Sequence, residues 1–284
     1  MATPHLLSIL QDGIVVLAYG SAIPKSRIVV KLLRQRGLPI EFQELEIEHF
    51  PYPEAYVELE GNVRGKTGFL LPGITGNPND DFMAQMITCD AIRRGRARSL
   101  TILGEFLSYT RQDRVQAREP FTAKLIAEMI ETNPIIEQMV TVDLHASQIA
   151  GFFNRVHVED IPGSTLFVPH MRQTYGDSLP EITVVSTDVG GTLRARQYAE
   201  LLGAQLAVIE KRRERGEGSD SLQLIGKVGK RVILVDDIGD TAGSLVGAAG
   251  LLQEHNVEEI TAYISHALLS RKDGTTAEAK LKKA

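Results

Sequence analysis

The fold of this chain is decided by Arg231-Val232-Ile233-Leu234-Val235-Asp236-Asp237-Ile238-Gly239-Asp240-Thr241-Ala242-Gly243-Ser244. Its short apolar, β-branched run stops abruptly at two carboxylates, which is typical of a buried parallel strand. The small residues that follow lead into the helix-like Leu245-Val246-Gly247-Ala248-Ala249. The stretch therefore places its polar residues at the carboxyl end of a strand, where open α/β sheets hold their ligands.

The loop after this strand offers two kinds of ligand contact. Residues 241–244 can turn successive backbone N–H groups, with the hydroxyls of Thr241 and Ser244, toward the start of the helix, which suits a phosphate monoester. Asp236 and Asp237 would repel that phosphate, so we expect them to accept hydrogen bonds from sugar hydroxyls or to hold a magnesium ion. The combination indicates a phosphorylated sugar. The alternative is an acidic turn in which an Asp or a Thr only caps the helix.

The composition is that of a soluble globular protein. The 284 residues are 43% hydrophobic and 24% charged, which suits one large or two medium domains. The formal net charge of −5 is not offset by a long basic run, so we expect no nucleic-acid partner. Because the chain shows neither a membrane-length apolar run nor a signal peptide, we expect a cytoplasmic protein that binds no membrane. The single cysteine, Cys89, is expected to be a buried, inert thiol.

The order of the predicted elements indicates two similar α/β domains. Residues 70–103 run strand, polar loop, amphipathic helix and strand, which is a βαβ unit with parallel strands. Residues 234–264 repeat this order. We therefore predict one domain over residues 1–158 and a second over residues 159–284.

Single elements are also predicted within these domains. Hydrophobic periodicity predicts helices over residues 81–94 and 192–202 and a strand over residues 99–103. Residues 140–145 predict a strand that ends in polar side chains.

Four further segments carry residues suited to phosphate chemistry. They are Tyr109-Thr110-Arg111-Gln112-Asp113-Arg114, Val142-Asp143-Leu144-His145-Ala146-Ser147-Gln148-Ile149-Ala150-Gly151-Phe152-Phe153, Ser186-Thr187-Asp188-Val189-Gly190-Gly191 and Lys211-Arg212-Arg213. Arg111 and Gln112 offer several hydrogen-bond donors to phosphate groups and to the edges of nucleotide bases. The same short sequence, Arg-Gln-Asp, is also common in solvated loops. His145 suits a hydrogen bond to phosphate or a place in the core. The basic run at Lys211 is usually a solvated face, but the Gly-rich residues 216–220 after it predict a mobile lid.

Together with the opening loop, these segments resemble the motifs of the ribose-phosphate pyrophosphokinases, also called phosphoribosyl pyrophosphate synthetases. The likeness runs from Asn62 to His266. It implies an α/β protein of the type I phosphoribosyltransferase fold, with two similar phosphoribosyltransferase-like domains, each a mainly parallel sheet flanked by helices. Residues 1–158 would form the nucleotide side and residues 159–284 the ribose-5-phosphate side. The resemblance also implies a homo-oligomer, either a dimer or a hexamer of dimers.

The family's reaction implies a role for each matched residue. In the family, the β,γ-diphosphoryl group of Mg-ATP moves to the anomeric hydroxyl of ribose 5-phosphate, giving phosphoribosyl pyrophosphate and AMP. The residues implied to bind ATP are Phe50, Glu54, Arg111, Gln112, Asp113 and His145. Lys211 and Arg213 would be catalytic by neutralising the transferring group, and His145 and Asp188 would hold Mg²⁺. The residues implied to bind ribose 5-phosphate are Asp236, Asp237, Asp240, Thr241, Ala242, Gly243 and Ser244.

The sequence departs from the family pattern at four places, one of which is the segment after Asp113, which is shorter than in the family. Phe50-Pro51-Tyr52-Pro53-Glu54 stands where the family has F-S-D-G-E, an adenine-recognising loop donated by a neighbouring subunit. Thr187 replaces the proline of the family's S-P-D-x-G-G segment. After His266, where the family continues with a further strand and helix, residues 277–284 form a polar tail that is prone to helix.

Three alternatives to phosphoribosyl pyrophosphate synthesis stay open at the level of sequence. The altered amino-terminal region suits a diphosphoryl transfer to another acceptor that ends in ribose 5-phosphate, such as ADP-ribose. A catalytically silent homologue that regulates an active synthetase is a second alternative, and a plain phosphoribosyltransferase is a third. The intact motif residues favour an enzyme over a silent homologue, and a plain phosphoribosyltransferase has no need of Arg111, Gln112 or the His145 segment.

Overall fold

The computed structural model describes residues 13–213, 220–272 and 274–283. It divides into two compact units, Met1–Ile161 and Pro162–Ala284. The boundary predicted between residues 158 and 159 stays a prediction. Most of the predicted lid, residues 216–219, lies outside the described residues.

The first unit is built on a parallel sheet of six strands in the order β2-β1-β5-β6-β7-β8. These strands are β1 (Ile14–Tyr19), β2 (Ile40–Leu45), β5 (Thr67–Leu71), β6 (Ser99–Leu103), β7 (Ile136–Val142) and β8 (His157–Ile161). A hairpin of β3 (Glu48–His49) and β4 (Ala55–Tyr56) stands apart from the sheet. The helices of this unit are α1 (Ile23–Gln35), α2 (Pro78–Arg94) and α3 (Thr122–Glu131), with 3₁₀ turns at Gly20–Ala22 and Ser147–Phe152.

Helices cover both faces of this sheet. Leu17, Leu70 and Ile102 of the strands pack with Ile92 of α2 and Ile130 of α3 on one face, and all five side chains are fully buried. The opposite face forms a second cluster with α1. The strand order reverses between β1 and β5, because the chain runs from β1 outward to β2 and from β5 outward to β8. A doubly wound sheet places its ligand crevices outside the carboxyl ends of the strands at such a reversal.

Two sequence predictions in the first unit are wrong at their boundaries. Helix α2 begins at Pro78 rather than at residue 81, because the Asn77 side chain accepts a hydrogen bond from the Asn79 N–H and proline is favoured in the first turn. The strand predicted over residues 140–145 ends at Val142. Asp143 has φ 43°, in the left-handed region that strands do not use, so His145 follows in a loop. The predicted strand over residues 99–103 is confirmed as β6.

The second unit is a mixed sheet of five strands in the order β11-β10-β9-β12-β13. The strands are β9 (Ile182–Ser186), β10 (Gln205–Arg213), β11 (Asp220–Ile225), β12 (Arg231–Gly239) and β13 (Glu259–Ala267). All neighbours are parallel except β10 and β11. The helices are α4 (Ser164–Tyr175), α5 (Thr192–Leu202), α6 (Gly243–Glu254) and α7 (Ala277–Leu281), with a 3₁₀ turn at Gly176–Glu181 and a hairpin of β14 (Arg271–Lys272) and β15 (Thr275–Thr276).

The continuous apolar run of β12 is explained by burial on both faces of the sheet. Ile233 and Val235 pack with α4 and α5, whereas Val232 and Leu234 pack with α6. All four side chains are at most 2% exposed. A strand covered on both faces has no position for a polar side chain, which is why its sequence does not alternate.

Both units repeat the order strand, helix, parallel neighbouring strand. In the first unit this is β5, α2 and β6, and in the second it is β12, α6 and β13. The predicted fold class, two similar α/β domains with mainly parallel sheets flanked by helices, is confirmed. The sequence analysis did not predict β8, β11 or α4. Every helix in the described ranges is too short or too polar to cross a membrane.

Cys89 lies on α2 and is fully buried, as expected from the sequence. Burial raises the pKa of its thiol to about 12, so the thiolate that would react is not formed at neutral pH. The polar tail predicted to be prone to helix forms α7, whose first residue, Ala277, is fully buried.

Gly73, which follows β5, gives a prediction about the first unit. A Cβ at this position would lie 2.5 Å from the carbonyl oxygen of Tyr19 and 2.9 Å from the backbone nitrogen of Ser21, so Gly73→Ala forces two backbone segments apart. We expect a loss of about 2 kcal/mol in the free energy of unfolding, measured by chemical denaturation. Gly151→Ala is the control, because a Cβ there meets nothing within 4 Å. Equal stability of the two variants would contradict the close packing of Gly73 against the backbone of Tyr19 and Ser21.

Candidate functional site

The candidate site of the second unit lies where β9 and β12 run side by side. Ser186, the last residue of β9, pairs with Val235 of β12 in parallel register. The chain runs from β9 outward to β10 and from β12 outward to β13, so the strand order reverses between them. The loop over residues 187–191 therefore lies beside Asp236 and Asp237, at the position where doubly wound sheets bind ligands.

Asp236 is held by two hydrogen bonds from the protein. Its Oδ2 accepts from the Thr187 hydroxyl at 2.5 Å, and its Oδ1 accepts from the Asp237 backbone N–H at 2.9 Å. Burial raises the pKa of this carboxyl to about 7, with further upward contributions from Asp237 and from the charge of Asp188, while the Thr187 hydrogen bond acts in the opposite direction. Burial and crowding by like charges both disfavour the ionised form.

Asp237 is the more deeply buried of the two carboxylates, at 4% exposure. Its Oδ1 lies 3.2 Å from an Nη of Arg194, which projects from α5 and is itself largely buried. A buried carboxylate is tolerated when such a cation compensates it. No local sequence pattern marks Arg194 as a site residue. Only the register of β9 and β12 brings α5 to Asp237.

Asp188 is exposed on the loop between β9 and α5. Its Oδ1 accepts a hydrogen bond from the Gly191 N–H at 2.7 Å, and the Ser186 hydroxyl donates to its backbone carbonyl at 2.7 Å. These two bonds fold the loop back on itself immediately before α5 begins at Thr192. The carboxylate of Asp188 thus stands in solvent at the same edge of the sheet as Asp236.

The segment from Asp240 to Ser244 joins β12 to the start of α6. Ala242, the residue before α6, has φ 59° and ψ 8° and no side-chain cap on the helix. A left-handed non-glycine residue is strained, and it turns the chain so that backbone N–H groups converge at the helix start. Those uncapped N–H groups, with the positive end of the helix dipole, are suited to an anion. The phosphate-binding role predicted for residues 241–244 stays a prediction.

Lys211 lies on the part of β10 that extends beyond its pairing with β9. β10 pairs with β9 only as far as Val208, which is opposite Ser186. The strand then continues with the antiparallel partner β11, where Lys211 is opposite Leu222 and Arg213 is opposite Asp220. Lys211 is exposed, past the carboxyl end of β9. The strand thus continues through Lys211 and Arg213, the predicted catalytic residues.

The predicted ATP-binding residues of the first unit follow two neighbouring strands. Residues 111–113 come after β6, and His145 comes after β7, so both segments lie at the carboxyl edge of the same parallel sheet. Gln148 Nε2 donates to Asp113 Oδ2 at 2.8 Å, which ties the two segments together. Arg111 and His145 are exposed.

Gln112 is bound to the start of α3. Its backbone carbonyl accepts from the Ala123 N–H at 3.1 Å, and its Oε1 accepts from the Thr122 hydroxyl at 2.5 Å. The side-chain oxygen is therefore engaged by the protein, and the amide nitrogen is the group of Gln112 that is suited to a ligand.

Phe50 and Glu54 lie in the loop at the tip of the β3–β4 hairpin. The Phe50 N–H donates to the Glu54 carbonyl at 3.1 Å, and the Phe50 ring lies 5.8 Å from that of Tyr56. Phe50 is 54% exposed and Tyr52 is 79% exposed. The hairpin tip thus presents aromatic side chains to solvent.

The first unit also contains a cavity of about 520 Å³ at the reversal of strand order between β1 and β5. Its acidic lining includes Glu44, Glu46, Glu60, Asp80 and Asp81, and none of the predicted site residues contributes to it. A cavity lined by carboxylates repels phosphate, so the same topological position has different chemistry in the two units.

The Arg194–Asp237 ion pair gives a prediction about stability. Arg194→Met leaves the buried carboxylate of Asp237 without its guanidinium partner, and we expect a loss of about 3 kcal/mol in the free energy of unfolding. Chemical denaturation measures this loss. Arg196→Met is the matched control, because Arg196 is exposed on the same helix. An Arg194 variant as stable as the Arg196 variant would contradict the role of the ion pair.

The raised pKa of Asp236 gives a prediction about pH. Because the folded pKa of about 7 lies above the ordinary 3.8, the folded protein binds this proton more tightly than the unfolded chain does. The resulting stability is fully present below about pH 4 and is lost as the pH rises through about 7. We expect Asp236→Asn to have a higher Tm than the parent protein, by a margin that grows from about pH 5 to about pH 8.

Circular dichroism melts across this pH range measure the margin for Asp236→Asn. Asp177→Asn serves as the control, because Asp177 is exposed in the same unit. If the difference in Tm between Asp236→Asn and the parent protein stayed constant from about pH 5 to about pH 8, Asp236 would already be ionised at about pH 5.

Two family models match the chain. Residues 26–133 match the N-terminal domain of ribose phosphate pyrophosphokinase, and residues 170–283 match the phosphoribosyl transferase domain. Each match lies within one of the two structural units.

Curated proteins and a solved structure show the same likeness. The ribose-phosphate pyrophosphokinase of Marinomonas sp. (strain MWYL1) is 40% identical over 257 residues, which are 89% of this chain and 79% of that protein. The ribose-phosphate pyrophosphokinase of Cereibacter sphaeroides is 38% identical over 237 residues, which are 83% of this chain and 70% of that protein. The crystal structure of phosphoribosylpyrophosphate synthetase from Mycobacterium smegmatis matches with a TM-score of 0.80 and 31% identity over 91% of this chain and 83% of its own. The chain therefore belongs to the ribose-phosphate pyrophosphokinase family.

Proposed function

We propose that this protein catalyses the magnesium-dependent transfer of the β,γ-diphosphoryl group of ATP to the anomeric hydroxyl of ribose 5-phosphate. The products are phosphoribosyl pyrophosphate and AMP. One observation carries the proposal: the carboxylates of Asp236 and Asp237 lie at the end of β12, a few residues before the uncapped start of α6. This is the pairing of hydroxyl acceptors and anion-binding N–H groups that a ribosyl phosphate requires.

The acceptor would bind with its phosphate at the start of α6. The backbone N–H groups of residues 242–244 and the hydroxyls of Thr241 and Ser244 donate to the phosphate oxygens, and Asp240 belongs to the same loop. Asp236 and Asp237 accept hydrogen bonds from ribose hydroxyls. Because Asp236 and Asp237 are fixed by contacts to the protein, little ordering of these side chains is needed when the sugar binds.

In the transfer step, the anomeric oxygen of the acceptor forms a bond to the β-phosphorus of ATP. The bond from that phosphorus to the oxygen bridging to the α-phosphorus breaks, and AMP leaves with this oxygen. Such reactions depend mainly on positioning and on compensation of the negative charge that spreads over the phosphoryl oxygens. Lys211 and Arg213 are proposed to supply that compensation, and Arg111, Gln112, Asp113 and His145 are proposed to bind ATP.

The donor set fits magnesium that is bound partly by substrate. Within the described residues, no three His, Cys, Asp or Glu side chains form a group that could hold a metal ion. Magnesium commonly binds through one or two carboxylates and completes its coordination with substrate phosphates and water. Asp188, exposed beside Asp236, is such a carboxylate. We propose Asp188 as a magnesium ligand of the second unit and, separately, His145 as a magnesium ligand of the first unit. The ion, when bound, would neutralise phosphate charge.

We further propose a homo-oligomer, either a dimer or a hexamer of dimers, in the cytoplasm. The support for an oligomer is the hairpin tip with Phe50 and Glu54, whose aromatic side chains face solvent in the single chain. A loop that recognises adenine bound to a neighbouring copy requires this exposure. The comparisons with known enzymes of this family are consistent with a role in nucleotide biosynthesis.

Lys211 gives a prediction about turnover. Lys211→Ala removes a charge that is proposed to act mainly in the transition state, so we expect kcat to fall by about 100-fold while the KM for ATP changes by less than about threefold. Steady-state kinetics measure both. Lys227→Ala is the control, because Lys227 is an exposed lysine of the same unit outside the candidate site. A large rise in KM with unchanged kcat would assign Lys211 to ground-state binding instead.

Phosphorus NMR of the purified protein with Mg-ATP and ribose 5-phosphate tests the proposed function. We expect AMP and a new diphosphate resonance from a diphosphate attached to a sugar carbon. Consumption of ATP with ADP-ribose but not with ribose 5-phosphate would show the alternative acceptor. Intact ATP with either acceptor would overturn the proposal and favour a silent homologue.

A further inference from the structure

Thr187 is a buried hydroxyl group at the centre of the candidate site. It follows the last residue of β9, is 7% exposed, and donates to Asp236 Oδ2 at 2.5 Å. It stands where the S-P-D-x-G-G pattern has proline, a residue that carries no hydrogen-bond donor. This chain therefore has a contact to Asp236 that the pattern itself does not provide.

The Thr187 contact completes the fixation of the Asp236 carboxylate. One oxygen accepts from Thr187 and the other accepts from the Asp237 N–H, so each oxygen has one protein donor. A carboxylate offers about four acceptor sites in its plane. With both oxygens held, the plane cannot rotate about the Cβ–Cγ bond without breaking a hydrogen bond, and the remaining acceptor sites keep a fixed direction.

Asp236 and Asp237 are fixed by separate groups. Arg194 pairs with Asp237 through a charged contact from α5, whereas Thr187 donates to Asp236 as a neutral group from the β9 loop. Loss of the Thr187 hydroxyl therefore removes one of the two hydrogen bonds that hold Asp236 and leaves the Arg194–Asp237 ion pair in place. The two groups can be tested independently.

We propose that Thr187 is a positioning residue that fixes the carboxylate of Asp236 in the orientation in which it accepts hydrogen bonds from the hydroxyls of the ribosyl phosphate. This inference rests on the proposed function. Because Asp236 belongs to the acceptor side of the site, the loss of the Thr187 hydroxyl weakens binding of ribose 5-phosphate and leaves ATP binding unchanged.

The experiment compares Thr187→Val, which keeps the shape and removes the hydroxyl, with Thr187→Ser, which keeps the hydroxyl. For Thr187→Val we expect the KM for ribose 5-phosphate to rise about tenfold, with kcat and the KM for ATP within about threefold of the parent values. Thr187→Ser is expected to restore the KM to within about threefold of the parent value. Calorimetric titration of ribose 5-phosphate into each protein checks that the KM changes reflect binding.

Thr183→Val is the matched control. Thr183 is a buried threonine of the same strand, and its Oγ1 accepts from the Gly229 N–H at 3.1 Å rather than donating to Asp236. We expect this variant to lose stability but to keep the parent KM for ribose 5-phosphate. An equal rise in KM for Thr183→Val would overturn the inference, because the effect would then follow from lost stability alone.

Two further outcomes distinguish this inference from the proposed function. An active parent protein with an unchanged KM in folded Thr187→Val, or with no restoration by Thr187→Ser, overturns the role of Thr187 and leaves the proposed function standing. A parent protein that neither binds ribose 5-phosphate nor releases AMP overturns both. If thermal melts show that Thr187→Val does not fold, Thr187→Ala removes the hydroxyl without placing a methyl group in its position, although it also removes Cγ2; Thr187→Ser then remains the variant that keeps the hydroxyl.

Discussion

The parallel pairing of β9 with β12 is the constraint on which the rest of the candidate site depends. Both strands are buried on both faces, and their register sets Ser186 beside Val235. A shift of this register by one residue would move every side chain of the strand to the opposite face of the sheet. The hydrophobic clusters on the two faces therefore stabilise the observed register. This pairing brings Thr187, Asp188 and Arg194 from one segment of the chain to Asp236 and Asp237 from another.

The site concentrates negative charge and compensates it unevenly. Arg194 neutralises Asp237, a hydroxyl and a backbone N–H support Asp236, and Asp188 stands in solvent with one oxygen bonded to its own loop. Burial, with further contributions from Asp237 and Asp188, raises the pKa of Asp236 to about 7. A site of this kind is suited to a ligand that brings positive charge with it, as a magnesium complex of a polyphosphate does. The phosphate of the sugar is proposed to bind apart from these carboxylates, at the start of α6.

The two units show how one topology supports different chemistry. Each has a doubly wound sheet with a reversal of strand order. In the second unit, the strand at the reversal is followed by Ala242 in the left-handed conformation and by a helix without a side-chain cap. In the first unit, an acidic cavity lies at the reversal. The ATP-binding residues proposed for the first unit follow β6 and β7 instead, away from that reversal. Function on this fold is therefore set by the loops at the carboxyl ends of the strands and not by the strand order.

The sequence by itself determined the buried strand that leads to Asp236 and Asp237 and the helix over residues 192–202, since the burial of a strand on both faces and the period of an amphipathic helix are visible in local patterns. It did not determine that β12 continues past the two carboxylates to Gly239, because that extension depends on pairing with β13. It also determined the motifs that mark the family. The sequence did not reveal that Asp143 would end β7 before His145, because a backbone in the left-handed region depends on the tertiary contacts that hold it.

Only the tertiary structure decided which partners fix the functional side chains. The bonds from Thr187 to Asp236, from Arg194 to Asp237 and from Gln148 to Asp113 join residues far apart in the chain. Their existence depends on strand register and helix placement, which are properties of the packed core and leave no local signal in the sequence.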